Sequence, residues 1–258
     1  MILKLRHPIA RHTYIALSIL GFVMPLLLWH LISSSGAVSH LFLPSPTRVF
    51  RSFEVWGHTT LLRDIYVSVK QVVLGFSYAA LLAVPIGLYI GTFKVVEAAF
   101  QPINDFFRYM PASAFIPLVL LWIGIGDSAK VSIIFIGVFF QIIVMVADAV
   151  RNVPQDYVEA MYTMGAEQSE VITLVILRGA APDILNVLRV NMGWAWTYLV
   201  VAEMVAANRG LGFAIMQAQR FMDTPRIFVG VFIIGVLGVI FDLIFRILYF
   251  LLFRWKTL

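Results

Sequence analysis

Glu203 is the charged side chain with the strongest claim to chemistry in this chain. It stands alone in the apolar run 190–208, and a carboxylate inside such a run is costly enough to mark a function by default. Asn191, Trp194 and Thr197 precede it, with Trp196 between them. Asn191 and Thr197 could supply hydrogen-bonding groups to a polar pathway that includes Glu203. The other reading pairs Glu203 with a base such as Arg209, so that it holds the adjoining loop. A carboxylate on a pathway would repel an anion, which favours the second reading for an anionic solute. Trp194 and Trp196 read as packing residues before they read as a substrate cage.

Other polar groups invite the same two-sided reading. Asp242 and Arg246 stand four apart with the acid first, the favourable order for an ion pair along a helix. Arg108 heads another apolar run, where it either attracts an anion or anchors a helix end at a membrane surface. Met110 and Pro111 follow it, and Pro117 comes six residues later. Proline removes a backbone donor, which a spanning segment tolerates where protein or a water-filled cavity covers it. This run is therefore a candidate pathway wall or a structural kink.

The elements that must position these residues are long and apolar. Of 258 residues, 61% are hydrophobic and 13% charged, against roughly 25% charged in an ordinary soluble domain. The apolar excess falls in blocks of about 20 residues, the length that crosses a hydrocarbon core about 30 Å thick. The expected spans are 14–32, 68–93, 109–126, 130–150, 186–208 and 227–250, an all-α integral membrane protein read as one transmembrane domain over 1–258. The first block is long for a cleaved leader and lacks a well-placed small-residue cleavage site. The chain has no cysteine and a net charge of +5. Disulfides and cysteine-bound metals are excluded, and the bases are too dispersed for a nucleic-acid surface.

Lys4, Arg6 and Arg11 precede the first span, and Arg254 and Lys256 follow the last. Short basic flanks belong in the cytoplasm, so both termini are expected there. The connection 151–185 then becomes the longest cytoplasmic segment. Pro154 suits the first turn of a helix. Tyr157, Ala160, Met161 and Met164 follow at i, i+3, i+4 and i+7, one apolar stripe. Gly165 can end that helix at positive φ, and Ser169 can cap the next one, through Val171, Ile172, Val175 and Leu177. Spacing alone leaves two fates for the stripe. It packs back on the bundle, or it docks into a partner's groove, where methionine adapts well.

Glu159-Ala160, then Gly165, Val175 and Leu177, resemble the EAA motif of binding-protein-dependent ABC importer permeases. In that family the segment is the coupling helix that fits a cleft on the cytoplasmic ATPase. Two positions depart from the pattern: Met161 replaces a second alanine, and Arg178 stands where proline is usual, with Pro182 four residues on as a substitute helix break. Further segments look like the same family in the same order. These are Leu43-Pro44-Ser45-Pro46, Phe107 to Pro111, Ala114 to Pro117 with Trp122 to Gly126, and Ala202-Glu203-Met204 followed by Gly210-Leu211-Gly212. Together they resemble the nitrate/sulfonate/taurine/bicarbonate branch.

The resemblance implies a six-helix, MetI-like permease in the inner membrane that couples to an ATPase through Tyr157, Glu159, Ala160, Met161, Met164 and Gly165. It implies ATP and Mg bound on that ATPase, an external solute-binding protein, and a second permease copy. The candidate pathway set is Arg108, Met110, Pro111, Asn191, Trp194, Thr197 and Glu203. No Walker A loop, H-E-x-x-H or G-x-S-x-G motif occurs, so no catalytic, metal or cofactor site is expected in this chain. The alternative is a membrane-embedded enzyme that uses Glu203 as its acid or base. The two differ in forecast: a permease does no chemistry alone and co-purifies with an ATPase through the loop.

Overall fold

The computed structural model describes residues 10–206 and 208–256, and among these the regular structure is helical throughout. Two compact units form, Met1–Thr59 with Ala218–Val229, and Thr60–Gln217 with Gly230–Leu258. In the smaller unit, α1 (Arg11–Ser34) is apolar and exposed along almost its whole length. A helix apolar on all sides belongs in lipid. The amphipathic α2 (Pro46–Gly57) follows, started by Pro46. Trp29 stacks on Phe228 at 5.6 Å and donates its indole N–H to the Pro44 carbonyl at 3.0 Å.

The larger unit is built on α3 (Leu61–Thr92), α6 (Asp127–Arg151) and α9 (Leu177–Ala206). Its core joins Val72 and Ile90 of α3 to Ile134, Val138, Ile142 and Val146 of α6 and to Ala195, Trp196 and Leu199 of α9. Helix α3 meets α6 through a small residue every fourth position: Gly75, Ala79, Ala83, Gly87 and Gly91. A Cβ added at Gly75 would lie 2.8 Å from the Ile134 Cβ, and one at Gly91 2.6 Å from the Val150 Cβ. Lipid offers little hydrophobic drive for two helices to associate, so close backbone approach through small residues supplies the contact. Helix α11 (Thr224–Leu252) lays Phe241 and Phe245 on this core, against Trp196 and Phe76.

Among the described residues five helices are long and apolar enough to cross a membrane, and a sixth crossing arises if α4 (Lys94–Arg108) and the segment Ala112–Ile123 count as one. That third crossing, expected over 109–126 with a proline kink as one reading, is bent. Helix α4 ends at Arg108, Met110 and Pro111 are non-helical, and a 3-10 turn over Ala112–Phe115 leads into α5 (Ile116–Ile123). The two arms meet at 84°. Eight residues of α5 reach only about 12 Å, so α5 alone cannot span. Pro111 and Pro117 explain the break: Pro111 disfavours helix at Met110, and Pro117 sits at the start of α5. The other expected spans are matched by α1, α3, α6, α9 and α11, although α3 and α9 begin several residues earlier.

Candidate functional site

Between α6 and α9 the chain makes one exposed excursion. Helix α6 closes at Arg151, which pairs with Asp148 at 2.9 Å, and Pro154 precedes α7 (Gln155–Thr163). The end of α7 is made by Gly165 at φ 81°, a left-handed conformation that glycine adopts without a Cβ clash. There the Gly165 N–H reaches the Tyr162 carbonyl at 3.0 Å, and the Ala166 N–H reaches that of Met161 at 3.1 Å. The six-to-one bond closes the helix as a Schellman motif does. The next helix is capped by Glu167, with Ser169 already inside its first turn α8 (Gln168–Glu170). The Glu167 N–H donates to Glu170 Oε2 at 2.9 Å, the reciprocal arrangement of a capping box.

No side chain of α7 is buried. Tyr157 is 62% exposed and Met164 82%, and Glu159 and Ala160 are open as well. Met161 alone of the expected stripe is half-buried, beside Val158. The stripe thus splits, with Met161 half-buried and Tyr157, Ala160 and Met164 exposed. Residues 171–176 then wind as a wide π-type turn, the Leu177 N–H reaching back to the Ile172 carbonyl. Pro182 lies inside the continuous α9 and breaks nothing. The irregularity expected near Arg178 falls before it instead.

Arg151, at the root of α7, also reaches α4. It bonds Glu97 at 3.2 Å and the Gln101 side-chain oxygen at 3.1 Å, while Lys94 holds Glu97 from the other side at 2.8 Å. Helix α4 ends at Arg108, on the wall of a cavity of about 260 Å³ among the α4–η1 bend, α6 and α9, where η1 is the turn Ala112–Phe115. Of the candidate pathway residues, Arg108, Met110, Asn191 and Trp194 line it. Pro111 and Thr197 are exposed and Glu203 is fully buried, and none of the three lines it. Arg108 pairs with Asp105 at 3.0 Å and lies over the Tyr109 ring at 4.7 Å, so it is held locally as an anchor would be while bordering the cavity.

Glu203 belongs to a sealed polar cluster at the far end of α9. Its Oε1 accepts the Ser68 hydroxyl at 2.7 Å, and its Oε2 accepts the Gly212 N–H at 2.7 Å. The two preceding amides are taken in turn, Leu211 by Ser68 Oγ at 2.9 Å and Gly210 by Asp64 Oδ1 at 3.3 Å. Three successive N–H groups at the start of α10 (Leu211–Arg220) are thereby matched by three side chains. Orphan donors at a helix N-terminus require such partners. Gly210 sits at φ 113°, and a Cβ there would strike the Glu203 carboxylate. The observed hydrogen-bond partners of Glu203 are thus Ser68 and Gly212, in place of the expected Arg209.

Asp242 and Arg246 pair at 2.8 Å as their spacing predicts, and Arg189 of α9 joins the same carboxylate. Spacing along one helix could not reveal Arg189, nor the Asp64 and Ser68 contacts to 210–212. The small-residue stripe of α3, by contrast, was a readable signal, a four-residue period of glycine and alanine. Among the described residues no group of three His, Cys, Asp or Glu side chains stands ready to hold a metal.

Residues 83–255 match the family model described as binding-protein-dependent transport system inner membrane component. The chain belongs to that family of ABC transporter permeases. Over 252 residues the permease is 31% identical to the taurine transport system permease protein TauC of Escherichia coli, covering 95% of this chain and 91% of that one. It is 34% identical to a probable ABC transporter permease protein of Brucella melitensis, over 90% and 94% of the two chains. It is 29% identical to the bicarbonate transport system permease protein CmpB of Synechocystis, over 87% and 82%. Its fold is similar to that of a chain in inward-facing MetNI methionine ABC transporter structures, with TM-score 0.60 and 22% identity over 72% of this chain and 94% of that chain. The permease is therefore a MetI-type, membrane-embedded importer subunit.

Proposed function

We propose that this permease carries a small solute, an oxyanion such as nitrate, a sulfonate like taurine, or bicarbonate, from an external binding protein across the inner membrane. A separate cytoplasmic ATPase, with ATP and Mg bound on it, docks on α7 and drives the step. Both termini face the cytoplasm, and two copies of the chain enclose the pathway, since symmetric pairs are the commonest assemblies. The observation that carries this reading is α7 itself: a closed, capped helix with Tyr157, Glu159, Ala160 and Met164 all exposed. Exposed apolar side chains on a rigid projecting helix suit a partner's groove. The Arg151–Glu97 contact ties the end of α6, a few residues before α7, to α4, whose own end at Arg108 borders the cavity.

Co-purification with the ATPase and solute uptake in vesicles test the proposal. Ala160→Asp and Gly165→Glu are expected to abolish both while the chain still inserts. Retention of ATPase binding and uptake by both variants would overturn it. The enzyme alternative gains no support from Glu203, whose two oxygens are occupied and which no solvent reaches. A membrane-bound catalytic activity lost in Glu203→Gln would revive it.

A further inference from the structure

An open groove of about 800 Å³ lies among α7, the start of α9 and the segment that follows α11. Leu174 and Val175, on the wide turn 171–176, line it together with Tyr157, Phe253 and Trp255. Phe253 is buried and Val175 half-buried, whereas Leu174, Tyr157 and Trp255 stay exposed. Among the described residues Arg178 is the single charged side chain on this wall, and no carboxylate pairs with it. Turns of the π type interrupt the regular helix and recur at functional sites. The depth of the groove follows from the spans. Phe253 comes directly after α11, and Leu177 opens α9, so the groove stands where hydrocarbon gives way to headgroups. Tyr157 and Trp255 are of the types enriched at that boundary.

Resting on the reading of this chain as an importer permease with cytoplasmic termini, we propose that the groove binds one anionic phospholipid of the inner leaflet. Its phosphate pairs with Arg178, and an acyl chain lies along Leu174, Val175 and Phe253. The occupant follows from the wall, which is apolar over most of its length and carries one cation with no acid beside it. A phospholipid is apolar along its chains and anionic at its head, and basic pockets between helices at the cytoplasmic face take such heads. The guanidinium can meet a phosphate through two parallel N–H groups, while the stem of the arginine packs on the acyl chain. Helix α7 buries no side chain, so a lipid set between Tyr157 and Phe253 bridges α7 to the end of α11. Glu159, Ala160 and Met164 do not line the groove, so the lipid leaves them to a partner.

The test places the permease with its ATPase in nanodiscs of equal phosphatidylglycerol and phosphatidylcholine. Mild delipidation and native mass spectrometry then identify the lipids that stay bound. Both leaflets carry the same mixture, so the outcome does not depend on which end of the chain faces the cytoplasm. Phosphatidylglycerol should be retained about fivefold over phosphatidylcholine, the scale of one basic residue at a charged membrane surface. Arg178→Gln should bring that ratio close to one. Leu174→Asp, at an exposed position, should lower retained phosphatidylglycerol at least as far. Arg220→Gln removes an exposed arginine of α10 and should leave the ratio unchanged. Amide exchange across 155–163 should be slower in the mixed discs than in phosphatidylcholine alone. A ratio near one in the unaltered complex, an equal drop in Arg220→Gln, selectivity that survives both Arg178→Gln and Leu174→Asp, or exchange that ignores the lipid would overturn the proposal. A complex that assembles and hydrolyses ATP without lipid selectivity removes this inference alone. A chain that selects phosphatidylglycerol but never associates with the ATPase removes the underlying function and leaves the site.

Discussion

The segment that leads into α9 and the turn that leaves it are built on opposite principles. From Gln155 to Glu170 no residue is buried, and the backbone is closed by local devices, a glycine at positive φ and a reciprocal pair of glutamates. From Arg209 onward the turn is held to α3 by long-range bonds to Asp64 and Ser68 and to α9 by the bond to Glu203, Ser68 and Glu203 being fully buried. Local closure keeps a helix in shape while its outer face stays free for a partner. Long-range closure in a desolvated cluster fixes a loop, because each bond broken there leaves a polar group with no water to take its place. One end of α9 is thus joined to an exposed segment closed by its own bonds, and the other to a turn held by buried ones.

Four substitutions sharpen that contrast, each read by unfolding in detergent and by ATPase co-purification. Glu203→Leu strips partners from the Gly212 N–H and the Ser68 hydroxyl at once, and should cost about 3 kcal/mol of stability. Gly210→Ala drives a methyl into the Glu203 carboxylate at a positive φ, for about 2 kcal/mol. Gly165→Ala meets open space, so only the backbone conformation is penalised, at about 1 kcal/mol. Ala160→Asp, on an exposed helix face, should change stability by less than about 0.5 kcal/mol and yet abolish ATPase association. Equal losses of stability at Gly210 and Gly165 would break the comparison, as would full ATPase binding in Ala160→Asp.

The Arg151–Glu97 contact offers one more handle. Glu97→Arg should lower uptake per ATP hydrolysed, and Glu97→Arg with Arg151→Glu should restore it, because the exchanged charges can pair again. Failure of the exchange to restore coupling would show that α4 takes no part in transmission.

Much of the architecture was legible in the chain because lipid imposes a simple length rule on apolar runs. Five of the spans were read within several residues at each end. The third carries the kink that its prolines allow, and what composition cannot give is its direction: α4 and the segment 112–123 meet at 84° around Met110 and Pro111. Gly165 was read as a helix stop because positive φ is a local property of one residue. Ser169 reads as a cap on residue type, while Glu167, two residues earlier, takes the role together with Glu170. Arg209 was offered as the partner of Glu203 on sequence proximity, whereas Ser68 lies 135 residues away.

By itself the sequence determined the apolar spans, the amphipathic helix with its glycine stop, and the set of polar residues that a membrane interior must account for. Those follow from local periodicity and from the cost of placing charge in lipid. Only the tertiary structure decided which partners settle that cost. It gave Glu203 to a loop clasp, left Tyr157 and Met164 uncovered, and brought Arg108 and Asn191 to one cavity wall. The reason is physical: hydrogen bonds and burial depend on distance in space, and helices packed along their length bring together residues that no spacing in the chain relates.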